Sequence, residues 1–384
     1  MKNQLYGDGI HDDAPAIQEL LDERKSEVFL PTPPKHYCIG TTLKIHDGQC
    51  LRMSPLTVIQ LLPGSDVSML EDDDFYTEKK DICIDGGIWD MNNEKQSPNP
   101  YHFPNENGET AYDIMKKRGY TFDKMTVFGD WYTGMCMRFC RVKNLTVKNV
   151  TYKNPTTYGA QIAHVEDFTF DTITFDYQTG SPKLWNMDGI HIEGYCKNGY
   201  VHNLKGACHD DMVAITADDS LYGPISNIVV DGLYAEHCHS AVRLLSHGIP
   251  VKNIHISNVF GSYYVYCIGI TKYHGSEKER GYMRNITIDN VYASACTGTV
   301  DVEGGFYPFI WVQKGVDVEN LYLSNIEREE TTYPTPMIKI DEGATVDNMQ
   351  LANVKQASRL GKPIEQLVTS GNVQNLHTHN MINL

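Results

Sequence analysis

A short phrase recurs through the last two thirds of the 384-residue chain, and it limits the possible folds more than any other feature. The phrase places Asn or Asp after a hydrophobic residue and continues with aliphatic residues at alternate positions, as in 142–150. Repeats of about this length are typical of stacked architectures in which each unit buries its side chains against its neighbours. The Asn or Asp positions, 23 to 35 residues apart, are Asn144, Asp167, Asn198, Asn227, Asn253, Asn285, Asn320, Asn348 and Asn375.

The alternation within each phrase indicates short strands, because apolar and polar residues alternate and β-branched and aromatic residues dominate. We therefore predict an all-β fold, a single-stranded right-handed parallel β-helix, that forms one domain over residues 1–384. Like residues then stack on one another, so the recurrent Asn is expected to form amide ladders. One inward column is predicted for Cys208, Cys238, Cys267 and Cys296.

Two segments depart from the repeat. Residues 12–22 begin with two Asp and a Pro and carry apolar residues at helical spacing, which predicts an amphipathic helix. We expect residues 1–30 to form an N-terminal cap that covers the open end of the stack. Residues 96–126 are rich in Pro, Asn, Gly and charged side chains, and they predict a loop excursion on one rim, where binding loops commonly lie.

The net charge of −16, from 33 basic and 49 acidic residues, opposes binding to nucleic acid or to an anionic membrane. We predict neither as a partner. The sequence has no apolar leader and no run of eighteen apolar residues. As written, the chain is therefore expected in the cytoplasm, or outside the cell if a leader has been removed.

Two polar clusters interrupt strand sequence near the middle of the repeats. Asp188 and Asp210 are 22 residues apart, close to one coil, and Asp211 follows directly. Like charges this close shift at least one pKa and can provide a protonated acid beside an ionised base, the pairing required for glycosidic bond cleavage. Neighbouring strand residues point to opposite faces, so Asp210 and Asp211 can act together only where the chain is irregular. A solvated turn or a calcium site remains an alternative.

A second adjacent pair, Asp218 and Asp219, is followed by turn-forming sequence. We interpret it as part of a loop rather than as a catalytic pair.

The two clusters resemble the signature of the polygalacturonase-like glycoside hydrolases, family 28, within the pectin-lyase-like superfamily. The resemblance rests on 186–190, which reads N-M-D-G-I, and on 210–215, which reads D-D-M-V-A-I. Residues 7–17 also resemble the opening of that superfamily. The resemblance implies an inverting hydrolase in which Asp210 is the general acid while Asp188 and Asp211 position the attacking water.

The resemblance also implies substrate-binding residues. Asn186 belongs to the first motif, and the G-H-G motif of the family corresponds best to His239, with His247 as the alternative. The R-I-K motif corresponds to 270–272, which keeps Lys272 and lacks the arginine. Because an arginine fork commonly clamps a uronate carboxylate, either Arg243 replaces it or the substrate is a neutral or differently charged sugar.

The leading hypothesis is a glycoside hydrolase that acts on an oligo- or polysaccharide and uses no cofactor and no metal ion. A uronate polysaccharide lyase, with Lys272 or Arg243 as the base, is the second hypothesis. The third is a non-catalytic carbohydrate-binding β-helix in which the acidic cluster holds a cation.

Overall fold

The computed structural model describes residues 3–117, 131–219, 221–273, 278–298 and 307–384. Two compact units are present, Met1–His191 and Ile192–Leu384, here called the first and second units. The prediction of one domain over residues 1–384 stays a prediction. Among the described residues, no helix has both the length and the apolar character needed to cross a membrane.

The first unit consists of short parallel strands in repeating coils. Three sets of strands pair along the stack: β1-β4-β7-β10-β13, β3-β6-β9-β12 and β2-β5-β8-β11. The strands are β1 (Glu27–Leu30), β2 (Tyr37–Ile39), β3 (Leu43–Ile45), β4 (Cys50–Met53), β5 (Val58–Leu61), β6 (Leu70–Asp72), β7 (Lys79–Asp85), β8 (Ile88–Asp90), β9 (Met137–Cys140), β10 (Val142–Lys148), β11 (Thr151–Lys153), β12 (Ala160–Ala163) and β13 (Glu166–Asp176), followed by β14 (Ile190–Ile192).

The second unit has longer strands in two parallel sets, β15-β17-β19-β21-β23-β25-β27 and β16-β18-β20-β22-β24-β26. These strands are β15 (Lys197–Ala207), β16 (Asp211–Thr216), β17 (Ile225–Cys238), β18 (Ser240–Leu245), β19 (Val251–Tyr263), β20 (Ile268–Thr271), β21 (Gly281–Ala295), β22 (Ile310–Val312), β23 (Val316–Glu330), β24 (Ile338–Ile340), β25 (Thr345–Ser358), β26 (Leu367–Thr369) and β27 (Asn372–Asn383). The predicted right-handed parallel β-helix is confirmed.

Like residues stack on like residues in the core, as the repeat predicts. Ile228 is in register with Ile254, which in turn is in register with Ile286, and all three side chains are buried. Neighbouring parallel strands lie about 4.8 Å apart, so each branched side chain packs on its equivalent in the next coil. Packing between equivalent side chains of successive coils therefore stabilises the fold.

The predicted asparagine ladder is confirmed in the second unit. Asn227 donates its side-chain amide to Asn198 at 3.0 Å, and the same donor–acceptor step repeats from coil to coil up to Asn375, which donates to Asn348 at 3.0 Å. Asn198 and Asn227 have φ values of 58° and 61°, in the left-handed region that Asn tolerates better than most residues. The same residue type thus suits both the left-handed backbone of the turn and the side-chain ladder.

The cysteine column is also present. Its four side chains are buried free thiols, and the Cys208 N–H donates to the Cys238 sulfur at 3.3 Å. The column fills the inside of the coils beside the strand starts that carry the polar residues described below. These residues are Cys208, Cys238, Cys267 and Cys296.

The predicted N-terminal helix forms as α1 (Ala14–Asp22), with Pro15 in its first turn and Ile17 and Leu21 fully buried. Asp13 precedes the helix but does not cap it; its carboxylate accepts hydrogen bonds from the N–H groups of Tyr6 at 2.6 Å and Cys38 at 3.1 Å. The acidic start of the helix therefore also ties the N-terminal segment to β2.

The predicted excursion at 96–126 is described as far as residue 117. This part contains turns and one short helix that was not predicted, α2 (Ala111–Lys117), and it follows a 3-10 helix (Asn93–Lys95). Residues 118–126 of the predicted excursion lie outside the described residues.

Candidate active site

The strand irregularity required for joint action of Asp210 and Asp211 is present. Asp210 lies in a bend directly before β16, and Asp211 is in register with Ser240 at the start of β18. Just after Ser240, the N–H groups of Ala241 and Val242 both donate to the Cys267 carbonyl, at 2.9 and 3.2 Å, which is the mark of a bulge. Asp210 therefore lies outside the regular strand, so strand alternation does not direct its side chain away from that of Asp211.

Asp211 is a fully buried carboxylate held by three side chains. One oxygen, Oδ1, accepts hydrogen bonds from the Ser240 hydroxyl and from the Tyr266 hydroxyl, the latter at 3.1 Å. The other oxygen, Oδ2, lies 2.7 Å from Nε of Arg243. Burial and the neighbouring Asp210 raise the pKa of Asp211, although Arg243, His239 and Ser240 oppose that rise.

Asp210 differs from its neighbour because its side chain is 18% exposed, so it can reach a bound molecule. Its Oδ1 lies 3.7 Å from Nδ1 of His239, whose side chain is 20% exposed. One ligand atom from each of Asp210, Asp211 and His239 lies within 4.8 Å of the others. The structure therefore brings these three sequence-predicted residues together.

The His239 ring is oriented by aromatic neighbours. It meets the ring of Tyr264 at a centroid distance of 5.4 Å and the ring of Tyr266 at 6.2 Å, both nearly perpendicular. The Tyr264 hydroxyl is also 3.3 Å from Nδ1 of His209. A well-packed ring of this kind keeps a fixed direction toward the partly exposed Asp210.

Arg243 and Lys272, the two predicted substrate-binding cations, have different surroundings. Arg243 is engaged with Asp211, is only 14% exposed, and its guanidinium lies 6.0 Å from the ring centre of Tyr273. Lys272 directly follows β20, and its backbone N–H donates to the side chain of Gln313 at 2.6 Å. Arg243 therefore supports a carboxylate of the protein.

Among the described residues, the group that is placed to hold a metal ion consists of Asp210, Asp211 and His239. Two carboxylates and an imidazole suit several divalent cations. The Arg243 guanidinium already compensates the charge of Asp211, so a cation at this position would have to compete with it.

Asp188 lies in the first unit, two residues before β14, and its side chain is fully buried. Its Oδ2 lies 2.5 Å from Nδ1 of His191, whose ring stacks on Tyr158 at a centroid distance of 4.3 Å. The Asp188 carbonyl accepts hydrogen bonds from the N–H of Gly159 and from the hydroxyl of Tyr177. Asp188 is thus a rigidly held carboxylate with a histidine partner.

Asn186, also in the first unit, has a φ of 55°. Asn99 donates its side-chain amide to the Trp185 carbonyl at 3.2 Å and to the Asn186 side chain at 3.4 Å. Asn186 is therefore fixed by the segment that carries the predicted excursion.

The second adjacent pair forms a turn, as the sequence predicts. Asp218 is buried and accepts hydrogen bonds from the backbone N–H groups of His247, at 2.9 Å, and Ile249, at 3.2 Å. The ring of His247, the alternative to His239, lies 2.7 Å from the Asp218 carbonyl. His247 therefore contacts the turn, whereas His239 contacts Asp210.

Ser240 and Tyr266 donate hydrogen bonds to Asp211, a role that the sequence motifs do not predict. Ser240 carries a signal, because it lies 29 residues after Asp211, one coil away, and is in register with it. Tyr266 lies about two coils away, and no spacing rule distinguishes it from the other aromatic residues of the region.

The chain matches one protein family and is similar to several solved structures. The model of the family described as "Glycosyl hydrolases family 28" matches residues 131–378. An exopolygalacturonase from Thermotoga maritima is similar over 99% of this chain and 90% of its own, with 16% identity and a TM-score of 0.66. A family 28 exopolygalacturonase from Yersinia enterocolitica is similar over 99% of this chain and 76% of its own, with 16% identity and a TM-score of 0.59.

The fold also occurs in a protein with a different description. PfbA, a surface adhesin of Streptococcus pneumoniae, is similar over 98% of this chain and 91% of its own, with 14% identity and a TM-score of 0.58. At these identities the structural likeness shows the fold alone. No curated protein matches this chain in sequence.

Proposed function

This chain belongs to the glycosyl hydrolases of family 28, and on that premise we propose that it cleaves a pectic oligosaccharide with Asp210 as the general acid. The chain is a glycoside hydrolase that acts on a carbohydrate. One observation carries the finer proposal: a buried carboxylate, Asp211, is held by Ser240, Tyr266 and Arg243 directly beside the partly exposed Asp210.

The two carboxyl groups have different tasks in this proposal. Asp210 reaches the leaving oxygen of the scissile bond and donates its proton there, while the ionised Asp211 accepts a proton from the attacking water. Two hydroxyl donors and the Arg243 guanidinium hold Asp211, so it does not have to reorganise during the reaction. The participation of Asp188 rests on the sequence motif, and Asp188→Asn tests it.

The stereochemical course of the hydrolysis is the most specific part of the proposal. Inverting enzymes commonly hold their acid and base about 6.5–9.5 Å apart, and retaining enzymes about 5–5.5 Å. Oxygens of Asp210 and Asp211 lie within 4.8 Å, so this pair by itself favours retention, whereas the motif implies inversion. We propose inversion, with the attacking water oriented by Asp211 and not confined between Asp210 and Asp211.

A galacturonate unit is the proposed substrate at the cleaved bond, supported by the motif and by the two exopolygalacturonases that share the fold. Arg243 binds Asp211, so Lys272 is proposed to contact the sugar carboxylate. Lysine contacts a carboxylate as a point charge rather than as a fork, so weaker discrimination between uronate and neutral units is expected than with an arginine clamp.

A product analysis tests the function. The purified chain is incubated with oligogalacturonides and with neutral oligosaccharides, and the anomer of the first product is read by proton NMR. New reducing ends with inverted configuration support the proposal. Retention would reassign Asp211 as a nucleophile, an unsaturated uronide would indicate a lyase, and binding without cleavage would favour a non-catalytic carbohydrate-binding role.

A further inference from the structure

A cavity of about 430 Å³ opens in the first unit, and none of its described lining residues belongs to the candidate active site. Its volume falls within the range of about 300–1,000 Å³ that is usual for small-molecule sites. Aromatic and charged side chains both line it.

Three charged residues on consecutive strands form one side of this cavity. Lys44 of β3 is in register with Glu71 of β6, and Glu71 is in register with Arg138 of β9. One Glu71 oxygen binds the Lys44 ammonium at 2.6 Å, and the other binds the Arg138 guanidinium at 2.9 Å. Register therefore places a carboxylate between two cations.

Two of these three charged residues are buried, and the ring of Phe75 lies near both cations. Glu71 and Arg138 are only 7% and 1% exposed, although both line the cavity. Burial opposes ionisation of Glu71, but Arg138 and Lys44 outweigh it and lower the pKa of Glu71 below its ordinary value. The ring of Phe75 lies 4.9 Å from the Arg138 guanidinium and 5.3 Å from the Lys44 ammonium.

The charge balance of the cavity opposes an anionic ligand. Two cations, Lys44 and Arg138, stand against four carboxylates in the lining, because Asp66, Asp73 and Asp74 add to Glu71. An anion such as a uronate would meet net negative charge in a partly enclosed space. Hydroxyl groups, in contrast, can donate to these carboxylates.

Aromatic side chains are the second feature of this cavity that suits a sugar ligand. Trp131, Tyr132, Phe75 and Tyr76 all border the cavity, and the Tyr76 side chain is 73% exposed. Rings present apolar faces to the C–H groups of a sugar, while the acids bind its hydroxyls. We propose that this cavity is a second carbohydrate-binding site that takes a neutral glycosyl unit. The proposal does not depend on which aspartate performs catalysis.

Saturation-transfer NMR tests the site with the full chain. The probes are xylo-, galacto- and gluco-oligosaccharides, with oligogalacturonides and glucosamine oligosaccharides as charged comparators. Wild-type protein is expected to bind at least one neutral probe. Trp131→Ala and Tyr76→Ala are each expected to weaken that binding by about tenfold, the loss of one aromatic contact.

Two control variants accompany the aromatic substitutions. Tyr200→Ala removes an aromatic residue that is 42% exposed in the second unit, and it is expected to leave the binding unchanged. Asp210→Asn is expected to retain the binding as well, so failure of the proposed hydrolysis does not remove this signal. Because Tyr76 is largely exposed, Tyr76→Ala is expected to fold, and it provides the test if Trp131→Ala does not fold.

The proposal also predicts a change of ligand preference. Glu71→Gln leaves Lys44 and Arg138 without their carboxylate and is expected to raise the affinity for oligogalacturonides. The proposal is overturned if no neutral probe binds, if binding survives both aromatic substitutions, or if only the galacturonate or glucosamine probes bind to the wild type.

Discussion

Strand β16 has an adjacent aspartate pair near each end, and the two pairs are used differently. Asp211, at its start, receives hydrogen bonds from side chains, those of Ser240 and Tyr266, and an ion pair from Arg243. Asp218, beyond its end, receives hydrogen bonds from the backbone N–H groups of His247 and Ile249. A histidine of the next coil accompanies each pair.

The comparison shows that burial and a raised pKa do not identify a site. Burial is the first cause of the raised pKa of both Asp211 and Asp218. What differs is the kind of donor, because backbone donors fix a turn, whereas side-chain donors orient a carboxylate without fixing the chain. Asp210 adds a second carboxyl group that is partly exposed, which a turn does not need.

Loss of the proposed acid is expected to give the largest effect. Asp210→Asn removes the proton donor and should lower kcat/KM by about 10²–10⁴-fold, the usual contribution of general acid catalysis. Initial rates on the best substrate of the product screen measure the loss, and thermal unfolding checks that the variant is folded.

The matched control for this substitution is Asp219→Asn, in the turn pair. It makes the same chemical change three residues after the end of β16 and should leave kcat/KM within about twofold, as is usual for a group outside the reaction. Equal losses in the two variants would contradict the division between a turn pair and a catalytic pair.

The second prediction concerns Arg243. Arg243→Gln leaves the buried Asp211 carboxylate without its cation and should reduce the free energy of unfolding by about 3 kcal/mol at neutral pH. Because the pKa of Asp211 rises further in the variant, the carboxyl is neutral at low pH, and the deficit should shrink there. Urea unfolding at two pH values measures both quantities.

An ion pair on the surface provides the control for Arg243→Gln. Arg284 binds Glu319 at 2.9 Å, but the arginine side chain is 50% exposed. Arg284→Gln should therefore cost only about 0–1 kcal/mol, with little dependence on pH. If Arg243→Gln cost no more than Arg284→Gln, Asp211 would not depend on its cation.

The sequence predicts the fold well because repetition is visible without coordinates. Asn227 and its equivalents recur once per coil, and the same period sets the register of Ile228 on Ile254. The helix α2 was missed because its segment lies inside an excursion that has no repeat. Local composition predicts an interruption there but does not predict the conformation of the interruption.

The candidate site is only partly visible in the sequence. Asp210 and Asp211 stand out as paired acids, and the coil spacing distinguishes His239 from His247 once the register is known. The engagement of Arg243 with Asp211 could not be predicted, because Arg243 is in register with Ala214 and not with Asp211, and a bulge follows Ser240. Such irregularities have no period and carry no clear residue signature.

The third prediction tests the turn pair. Asp218→Asn replaces a carboxylate that accepts several backbone N–H groups, and it should cost about 1–3 kcal/mol of unfolding free energy at neutral pH with kcat/KM unchanged. Because the pKa of Asp218 is raised on folding, its contribution is greatest below its ordinary pKa and falls as the pH rises through the folded value. The stability advantage of the wild type over Asp218→Asn should therefore be larger in acid than at neutral pH. A constant difference across the range would contradict the burial of this carboxyl.

The smallest predicted effect is a shift in the pH profile. The Ser240 hydroxyl donates to Asp211 and lowers its pKa, so Ser240→Ala should raise that pKa. A hydrogen bond to a charged group contributes about 1.5–3 kcal/mol, and about 1.4 kcal/mol corresponds to one pH unit. If Asp211 must be ionised to accept the proton of water, the acidic limb of the pH profile of kcat/KM should shift to higher pH by about one unit.

The control is Ser246→Ala, which removes a hydroxyl that donates to the Ile249 carbonyl beside the turn pair. This variant should leave the acidic limb at its wild-type pH. A limb that moves equally in both variants, or in neither, would mean that ionisation of Asp211 does not control the rate.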